Sequence, residues 1–129
     1  MLAKAPVKIG LLGLGNVGSG VVEILLGNAE SIGIKLSRDI EIKKALVRNP
    51  NLPRPVDLTE IQLTTNPSDI LEDDEIDIIV EVMGGIEPAR SYIIKALEAG
   101  KHVVTANKDL LALHGRELLD FARENGRDL

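Results

Sequence analysis

The sequence predicts an α/β fold in which helices cover both faces of a doubly wound, mostly parallel sheet. Short, nearly continuous apolar runs alternate along the chain with segments of helical periodicity, a pattern typical of strands that are buried on both faces. The apolar fraction is 44%, with one Phe, one Tyr and no Trp. The core must therefore consist of Ile, Leu, Val and Ala, which suits a parallel sheet covered by helices.

Length, charge and cysteine content limit the class of protein. The 129 residues have the size of one domain, and a chain of this length buries roughly two-thirds of its unfolded surface. The net charge is −5 with scattered basic residues, which argues against nucleic acid as a partner. No apolar run approaches the roughly 20 residues of a membrane span, and residues 1–6 do not form a signal peptide. We therefore expect a cytoplasmic protein. Because the sequence contains no cysteine, we also expect no disulfides and no thiolate metal sites.

Five short apolar segments are predicted to be strands. The first is nearly continuous in apolar residues, and the fourth is predicted to be another buried strand. The third is expected to be a short edge strand. Residues 48–57 hold three of the six prolines and are predicted to be a loop. The predicted strands are residues 7–12, 40–47, 61–64, 76–82 and 102–105.

Four segments are predicted to be helices, and Gly100 and Gly126 are predicted to end the last two. The first covers residues from about 17 to 27 or 28, and the second is a short stretch with Asn66 as cap and Pro67 as first residue. The third covers residues 87–99, and the last covers residues 110–125. Residues 29–39 are left open as helix or loop, and the acidic run 72–75 is expected to be a solvated turn. The side chains expected to face the sheet are Val17, Val21, Ile24 and Leu25 in the first helix, Ala89, Ile93, Ala96 and Leu97 in the third, and Leu111, Leu118, Leu119 and Ala122 in the last.

A glycine motif separates the first strand from the first helix. Gly13, Gly15 and Gly18 have the spacing Gly-x-Gly-x-x-Gly, and in this position the spacing is the fingerprint of a dinucleotide site. Gly13 is expected to make the tight turn, Gly15 to let backbone N–H groups approach a pyrophosphate, and Gly18 to let the helix pack closely on the sheet. Ordinary turns from strand to helix also use glycine. With the motif in this context, we expect a Rossmann-like cofactor domain.

The end of the second strand bears on the choice of cofactor. The acidic residue that binds an NAD ribose lies about 20 residues after the glycines, at a strand end. Asp39 and Glu41 have roughly this spacing but lie at the beginning of the strand, whereas Arg48 occupies its end. A guanidinium there pairs with the 2′-phosphate of NADP, although a solvated loop arginine is the alternative. The sequence predicts that NADP is favoured over NAD or that both are accepted.

Two further segments follow predicted strands and supply candidate residues. Met83 and the paired glycines after it would let a ligand lie against bare backbone, although an ordinary turn also uses glycine. Lys108 lies at a helix start, where the dipole disfavours a cation by roughly 0.3 to 1 kcal/mol. Beside a nicotinamide ring it would hydrogen-bond a reacting oxygen and move a proton. Glu81, between Val80 and Val82 near a strand end, is either a partly buried, paired carboxylate or a residue that supports the site without touching the ligand, and the sequence does not decide between these. His102 and His114 lack ligand spacing, so no metal site is expected.

Three segments together resemble the amino-terminal, cofactor-binding part of homoserine dehydrogenase: VKIGLLGLGNVGSGV, EVMGGIEPAR and ALEAGKHVVTANKDLLALHG. The resemblance implies an interconversion of homoserine and aspartate 4-semialdehyde with NADP or NAD, on the route to threonine and methionine. It implies that Lys108 matches an active-site lysine near the nicotinamide. The cofactor-binding residues implied or predicted are Gly13, Leu14, Gly15, Asn16, Val17 and Gly18 at the pyrophosphate, Arg48 at the adenosine ribose, and Met83, Gly84, Thr105, Asn107 and Lys108 at the nicotinamide.

The sequence departs from that family in length. Residues 1–129 correspond to one cofactor-binding domain, and the sheet is expected to lack its last strand after Gly126. The domain that would supply the pocket for the small-molecule substrate is absent, so we expect cofactor binding without turnover. Homo-oligomerisation is left open. The alternatives are another semialdehyde or imine reductase, and a regulatory or redox-sensing module that binds a dinucleotide without catalysis.

Overall fold

The computed structural model describes residues 6–28, 39–54 and 56–129. These residues form a five-stranded sheet in the order β3-β2-β1-β4-β5, and every neighbouring pair is parallel. This confirms the predicted fold class. In chain order the elements are β1 (Val7–Leu12), α1 (Asn16–Gly27), β2 (Ile40–Leu46), β3 (Gln62–Thr64), α2 (Ser68–Leu71), β4 (Ile78–Glu81), α3 (Ala89–Glu98), β5 (His102–Thr105) and α4 (Lys108–Glu124).

The predicted boundaries agree with these elements to within about two residues. β1 and β5 have the predicted bounds, and β3 is the predicted edge strand. α2 begins one residue later than predicted, and the side chain of Asn66 accepts a hydrogen bond from the Ser68 amide at 3.0 Å. α4 begins two residues earlier than predicted, at Lys108. The alternatives left open for residues 29–38 lie outside the described residues.

The sheet carries one apolar cluster on each face. α2, α3 and α4 cover one face, and their buried side chains pack with those of β4 and β5. All four residues that were predicted to face the sheet from α3 are buried. α1 covers the other face. The buried residues of this second cluster are Ile9, Leu11, Leu14, Val22, Ile42, Ala45, Val47 and Ile61. Helices on both faces make this a doubly wound sheet.

α1 packs on the sheet through Gly18, Ser19 and Val22, its buried residues. A Cβ atom at Gly18 would lie 2.5 Å from the carbonyl oxygen of Gly13. That distance is far below van der Waals contact, so the helix approaches the turn this closely only because residue 18 is glycine. The contact fixes which face of α1 turns toward the sheet.

The apolar stripe predicted for α1 is therefore wrong in part. Val17 is 56% exposed and Ile24 is 62% exposed, whereas Val21 and Leu25 are half-buried. Apolar residues surround this helix on most sides, so their spacing does not select a single face. The close contact at Gly18 selects it instead.

The inward residues predicted for α4 are also only half right. Leu111 is 38% exposed and Leu119 is 49% exposed. Leu111 lies in the first turn, and Leu119 lies one position away from the buried row. The buried residues of α4 are Leu110, Gly115, Leu118 and Ala122.

Ion pairs join β1 and β2 to the turn before β4. Asp73 pairs with Lys43 at 2.6 Å and with Lys44 at 3.0 Å, and its side chain is only 10% exposed. Glu75 pairs with Lys8 at 2.6 Å and with Lys43 at 3.2 Å. The prediction of a solvated turn is therefore wrong for Asp73. These pairs connect the turn before β4 to Lys8, near the start of β1, and to Lys43 and Lys44, in the middle of β2.

The last residues of the chain lie beside β5. The Val103 amide donates to the carbonyl of Asp128 at 3.0 Å, and the Asp128 amide donates to Nδ1 of His102 at 3.1 Å. Gly126, at the end of α4, has a φ of +65° and ends the helix as predicted. Among the described helices, none combines the length and the apolar composition that crossing a bilayer requires.

Gly18→Ala is expected to lower the free energy of unfolding by about 1 to 3 kcal/mol, because the new methyl group overlaps the Gly13 carbonyl. Gly20→Ala is the matched control in α1, since a Cβ there meets nothing within 4 Å. The control should keep its stability or gain up to about 1 kcal/mol from helix propensity. Urea unfolding of both variants measures the difference. Equal stability of the two variants would show that the contact at Gly18 does not fix α1.

Asp73→Asn is expected to flatten the loss of stability in acid. Burial alone would raise the pKa of Asp73, but hydrogen bonds from Lys43 and Lys44 hold that pKa well below its ordinary value of 3.8. The carboxylate therefore stabilises the fold above about pH 4, and this contribution is lost as the pH falls below that value. The variant should lose about 1 to 3 kcal/mol at pH 7 and less at pH 3.

Urea unfolding at the two pH values measures this effect, with Asp120→Asn on the exposed side of α4 as control. The ion pairs of Asp73 would be unimportant if both variants lost the same stability between pH 7 and pH 3.

Candidate functional site

The strand order places a crevice at the carboxyl end of β1. From β1 the chain moves to β2 and β3 on one side, then crosses to β4 and β5 on the other. All five strands are parallel, so the segments that follow them meet at one edge of the sheet. In doubly wound sheets, ligands bind at this edge where the strand order reverses. Here the reversal lies between β1 and β4.

The glycine turn follows β1 and lies against the end of β4. Gly13 has a φ of +104°, and a Cβ atom on it would lie 3.2 Å from the Val82 carbonyl oxygen and 3.3 Å from the Met83 nitrogen. Glycine is therefore required at position 13 by the fold itself. Gly15 is different, because a Cβ there would meet nothing within 4 Å. No contact among the described residues explains glycine at position 15, and its backbone lies open.

The amino terminus of α1 faces this open region without a cap. Gly15 is the N-cap residue and supplies no side chain, and the first turn of α1 contains no acidic residue. The first N–H groups of a helix have no partner within the helix, and the dipole makes this end positive. Asn16 and Val17 are exposed here, whereas the side chain of Leu14 is buried in the apolar cluster. The terminus can therefore hold a phosphate through backbone N–H groups.

Glu81 ends β4 and is fully buried. One carboxylate oxygen accepts a hydrogen bond from the Met83 amide at 2.8 Å, and the other accepts one from the Thr105 hydroxyl at 2.6 Å. Its backbone carbonyl accepts from the Ala106 amide at 3.2 Å. Glu81 therefore joins the segment after β4 to the segment after β5.

Asn107 continues this connection. Its amide N–H donates to the Thr105 hydroxyl oxygen at 3.1 Å, and its side-chain NH₂ group donates to the carbonyl of Gly85 at 2.5 Å. Its side-chain oxygen accepts from the Leu110 amide at 3.1 Å, which caps α4. The side chain is only 6% exposed. Thr105 and Asn107 thus use their polar groups to hold the backbone immediately before Lys108.

The segment after β4 turns sharply through two glycines. Gly84 has a φ of +77° and Gly85 a φ of +75°, values that favour glycine. A Cβ atom on either residue would meet nothing within 4 Å. The side chain of Met83 packs against the apolar cluster beneath. This segment therefore offers open backbone at the crevice.

Lys108 is the first residue of α4 and is exposed. Asp109, also exposed, is the acidic residue of the first turn. Lys108 thus lies at the same edge as the glycine turn, directly after the network that holds Asn107. Lys108 is exposed to solvent.

Arg48 lies beyond the end of β2, on the other side of β1, and is exposed. Arg54 organises the loop that follows, donating to the carbonyl oxygens of Leu52 at 2.8 Å and Asn49 at 3.0 Å. Three strand spacings separate β2 from β5, about 14 Å at roughly 4.8 Å per spacing. Arg48 and Lys108 therefore mark opposite ends of the crevice.

The structure brings most of the predicted site residues to one edge, although their roles differ. Backbone is offered by Gly13, Gly15 and Gly84, while the side chains of Leu14, Thr105 and Asn107 are turned into the protein. The contacts of Glu81 and the Gly85 carbonyl are not predicted by the sequence. The available signal was a carboxylate inside an aliphatic strand, which requires a buried partner.

Comparisons with known proteins agree with this geometry. The family model described as "Homoserine dehydrogenase, NAD binding domain" matches residues 13–129. The homoserine dehydrogenase of Bacillus subtilis strain 168 is 46% identical over 123 residues, which are 95% of this chain and 28% of that protein. The homoserine dehydrogenase of Synechocystis is 48% identical over 120 residues, 93% of this chain and 27% of that protein.

Solved structures give the same result. The crystal structure of S. aureus homoserine dehydrogenase at pH 7.0 superposes with a TM-score of 0.91 and 52% identity, covering 96% of this chain and 32% of that one. The crystal structure of a homoserine dehydrogenase from Thiobacillus denitrificans superposes with a TM-score of 0.89 and 46% identity, covering 95% of this chain and 28% of that one. The chain thus spans about a third or less of the length of these relatives. It belongs to the family of NAD-binding domains of homoserine dehydrogenases.

Proposed function

We propose that residues 1–129 form one domain that holds NADP or NAD across the end of β1. The domain would serve an enzyme that interconverts L-homoserine and L-aspartate 4-semialdehyde, on the route to threonine and methionine. The observation that carries the proposal is the open backbone at Gly15, next to the uncapped amino terminus of α1. An anionic pyrophosphate fits that geometry.

The cofactor would lie across the crevice with its two halves on either side of β1. The pyrophosphate would contact the turn from Gly13 to Gly18, and the adenosine ribose would lie toward the end of β2. Arg48 is exposed there and would pair with the 2′-phosphate of NADP. The nicotinamide end would lie near the segments after β4 and β5. Its neighbours would be Met83, Gly84, Thr105, Asn107 and Lys108.

When bound, the nicotinamide supplies the hydride donor or acceptor for the alcohol carbon of the substrate. Lys108 would donate a hydrogen bond to the reacting oxygen of the substrate and transfer a proton to or from that oxygen. Thr105 and Asn107 would act chiefly by fixing the backbone before Lys108, since their polar groups already bond within the protein. The substrate pocket would come from the part of the relatives that this chain does not span.

A regulatory or redox-sensing module without catalysis is less well supported. The matched relatives are named as homoserine dehydrogenases, and an exposed lysine at this edge would supply the proton transfer that accompanies hydride transfer to a carbonyl. A sensor would not need Lys108, so a Lys108 variant distinguishes the two functions.

Arg48→Ala is expected to weaken NADPH binding about 10- to 100-fold through loss of charge-assisted hydrogen bonds. Binding of NADH should change less than threefold, because NADH lacks the 2′-phosphate. Fluorescence titration of the 129-residue chain measures both dissociation constants, with Arg123→Ala at the far end of α4 as control. Equal effects on both cofactors would contradict the role of Arg48. Failure of the unsubstituted chain to bind either cofactor at millimolar concentration would contradict cofactor binding itself.

Lys108→Ala, in a full-length protein that contains this chain, is expected to lower kcat by about 10²- to 10⁴-fold. The dissociation constant of NADPH should change little, because Lys108 is expected to contact the substrate oxygen rather than the phosphates. Oxidation of NADPH by aspartate 4-semialdehyde measures kcat, and Lys95→Ala on the exposed side of α3 is the control. Loss of NADPH binding with kcat retained would make Lys108 a cofactor contact only.

A further inference from the structure

Glu81 is a buried carboxylate between the two segments that form the nicotinamide end of the crevice. We propose that Glu81 is the positioning residue for Lys108 and for the backbone from Met83 to Gly85. The inference rests on the proposed function and deepens it. Glu81 itself is fully buried and would contact neither cofactor nor substrate. It would act through the groups that it holds.

The hydrogen bonds around Glu81 form a closed ring. The carboxylate accepts from the Met83 amide and the Thr105 hydroxyl, at 2.8 and 2.6 Å. The Thr105 oxygen accepts from the Asn107 amide at 3.1 Å, and the Asn107 side chain donates to the Gly85 carbonyl at 2.5 Å. Gly85 is two residues from Met83, so the ring closes through the chain. Movement of either segment therefore requires breaking a bond in the ring.

The ring lies at and beyond the last paired residues of β4 and β5. β4 ends at Glu81 and β5 ends at Thr105, and these two residues are partners in the register. Beyond them, Gly84 and Gly85 have positive φ values and are exposed. The carboxylate and the Thr105 hydroxyl extend the pairing of the strands by side-chain bonds. Lys108 follows three residues after Thr105, so its position depends on this extension.

The bond directions agree with a positioning role. Both carboxylate oxygens act as acceptors, and the Thr105 hydroxyl donates to Glu81 while it accepts from Asn107. A glutamine at position 81 can keep both contacts, because its carbonyl accepts from Met83 and its NH₂ group donates to the Thr105 oxygen. A methionine of similar size can keep neither. Comparing the glutamine and methionine variants therefore separates the effect of the hydrogen bonds of Glu81 from the effect of its packing.

The test compares Glu81→Met and Glu81→Gln with Lys101→Met. Lys101 is also buried, at the opposite end of β5, and donates to the carbonyl oxygens of Asp73 and Ile76 at 2.6 and 2.9 Å. It is the control for the general cost of losing a buried polar group. Kinetics are measured in the full-length protein that contains this chain, with NADPH and aspartate 4-semialdehyde, per folded molecule.

We expect Glu81→Met to lower kcat about 10- to 100-fold, the size expected when a reacting group is displaced by about 1 Å. The KM for NADPH should change less than threefold, because the pyrophosphate is held at the glycine turn. Glu81→Gln should restore kcat to within threefold, and Lys101→Met should leave kcat unchanged. Equal kcat in Glu81→Met and Lys101→Met would overturn the proposal, as would a failure of glutamine to rescue. If Glu81→Met does not fold, Glu81→Asp replaces it, since the shorter carboxylate cannot reach both partners.

Amide hydrogen exchange on the 129-residue chain separates this inference from the proposed function. Glu81→Met should speed exchange at Met83 and Asn107 about tenfold, the equivalent of one hydrogen bond, while the Gly13 amide, bonded to Leu46, stays protected. Unchanged exchange at both amides would overturn the positioning role. An unsubstituted full-length protein without hydride transfer would overturn the proposed function, and the exchange result would still decide whether Glu81 fixes the two segments.

Discussion

The parallel pairing of β1 with β2 on one side and β4 on the other is the constraint on which the rest of the structure depends. It puts the carboxyl ends of three strands side by side, so that segments distant in sequence meet at one edge. The helices are divided between the two faces, with α1 on one face and α2, α3 and α4 on the other. The crevice at β1 follows from this arrangement and needs no further element.

The sequence predicts the strands of this sheet better than the faces of its helices. β1 and β5 are recognised with their bounds because their apolar residues are flanked by glycine, proline or polar residues that end each strand. The face of α1 is recognised only in part, since the helix is apolar on most sides and periodicity has little contrast to detect. The close packing role assigned to Gly18 already implied that Val22, one turn later, faces the sheet. The backbone contact was a better guide than the apolar stripe.

Some residues of the candidate site can likewise be predicted from the sequence, and others cannot. Gly13, Gly15 and Lys108 can be picked out because backbone geometry or position in the chain marks them. The contacts of Glu81 with Thr105 and of Asn107 with Gly85 cannot, because they join residues 24 and 22 positions apart and exist only in one register of β4 against β5. A shift of that register by one residue would turn Glu81 to the other face of the sheet. Such contacts are a product of tertiary structure, which a single sequence does not contain.

Lys108 differs from its neighbours in how its side chain is used. Thr105 and Asn107 lie beside it but have their polar atoms bonded within the protein, whereas the Lys108 side chain is exposed. A cation in the first turn of a helix costs roughly 0.3 to 1 kcal/mol, although Asp109 offsets part of this. Lys108 therefore adds no stability to α4, while the network before it fixes its backbone. A lysine that is held in place without adding stability is consistent with the proposal that Lys108 contacts a ligand.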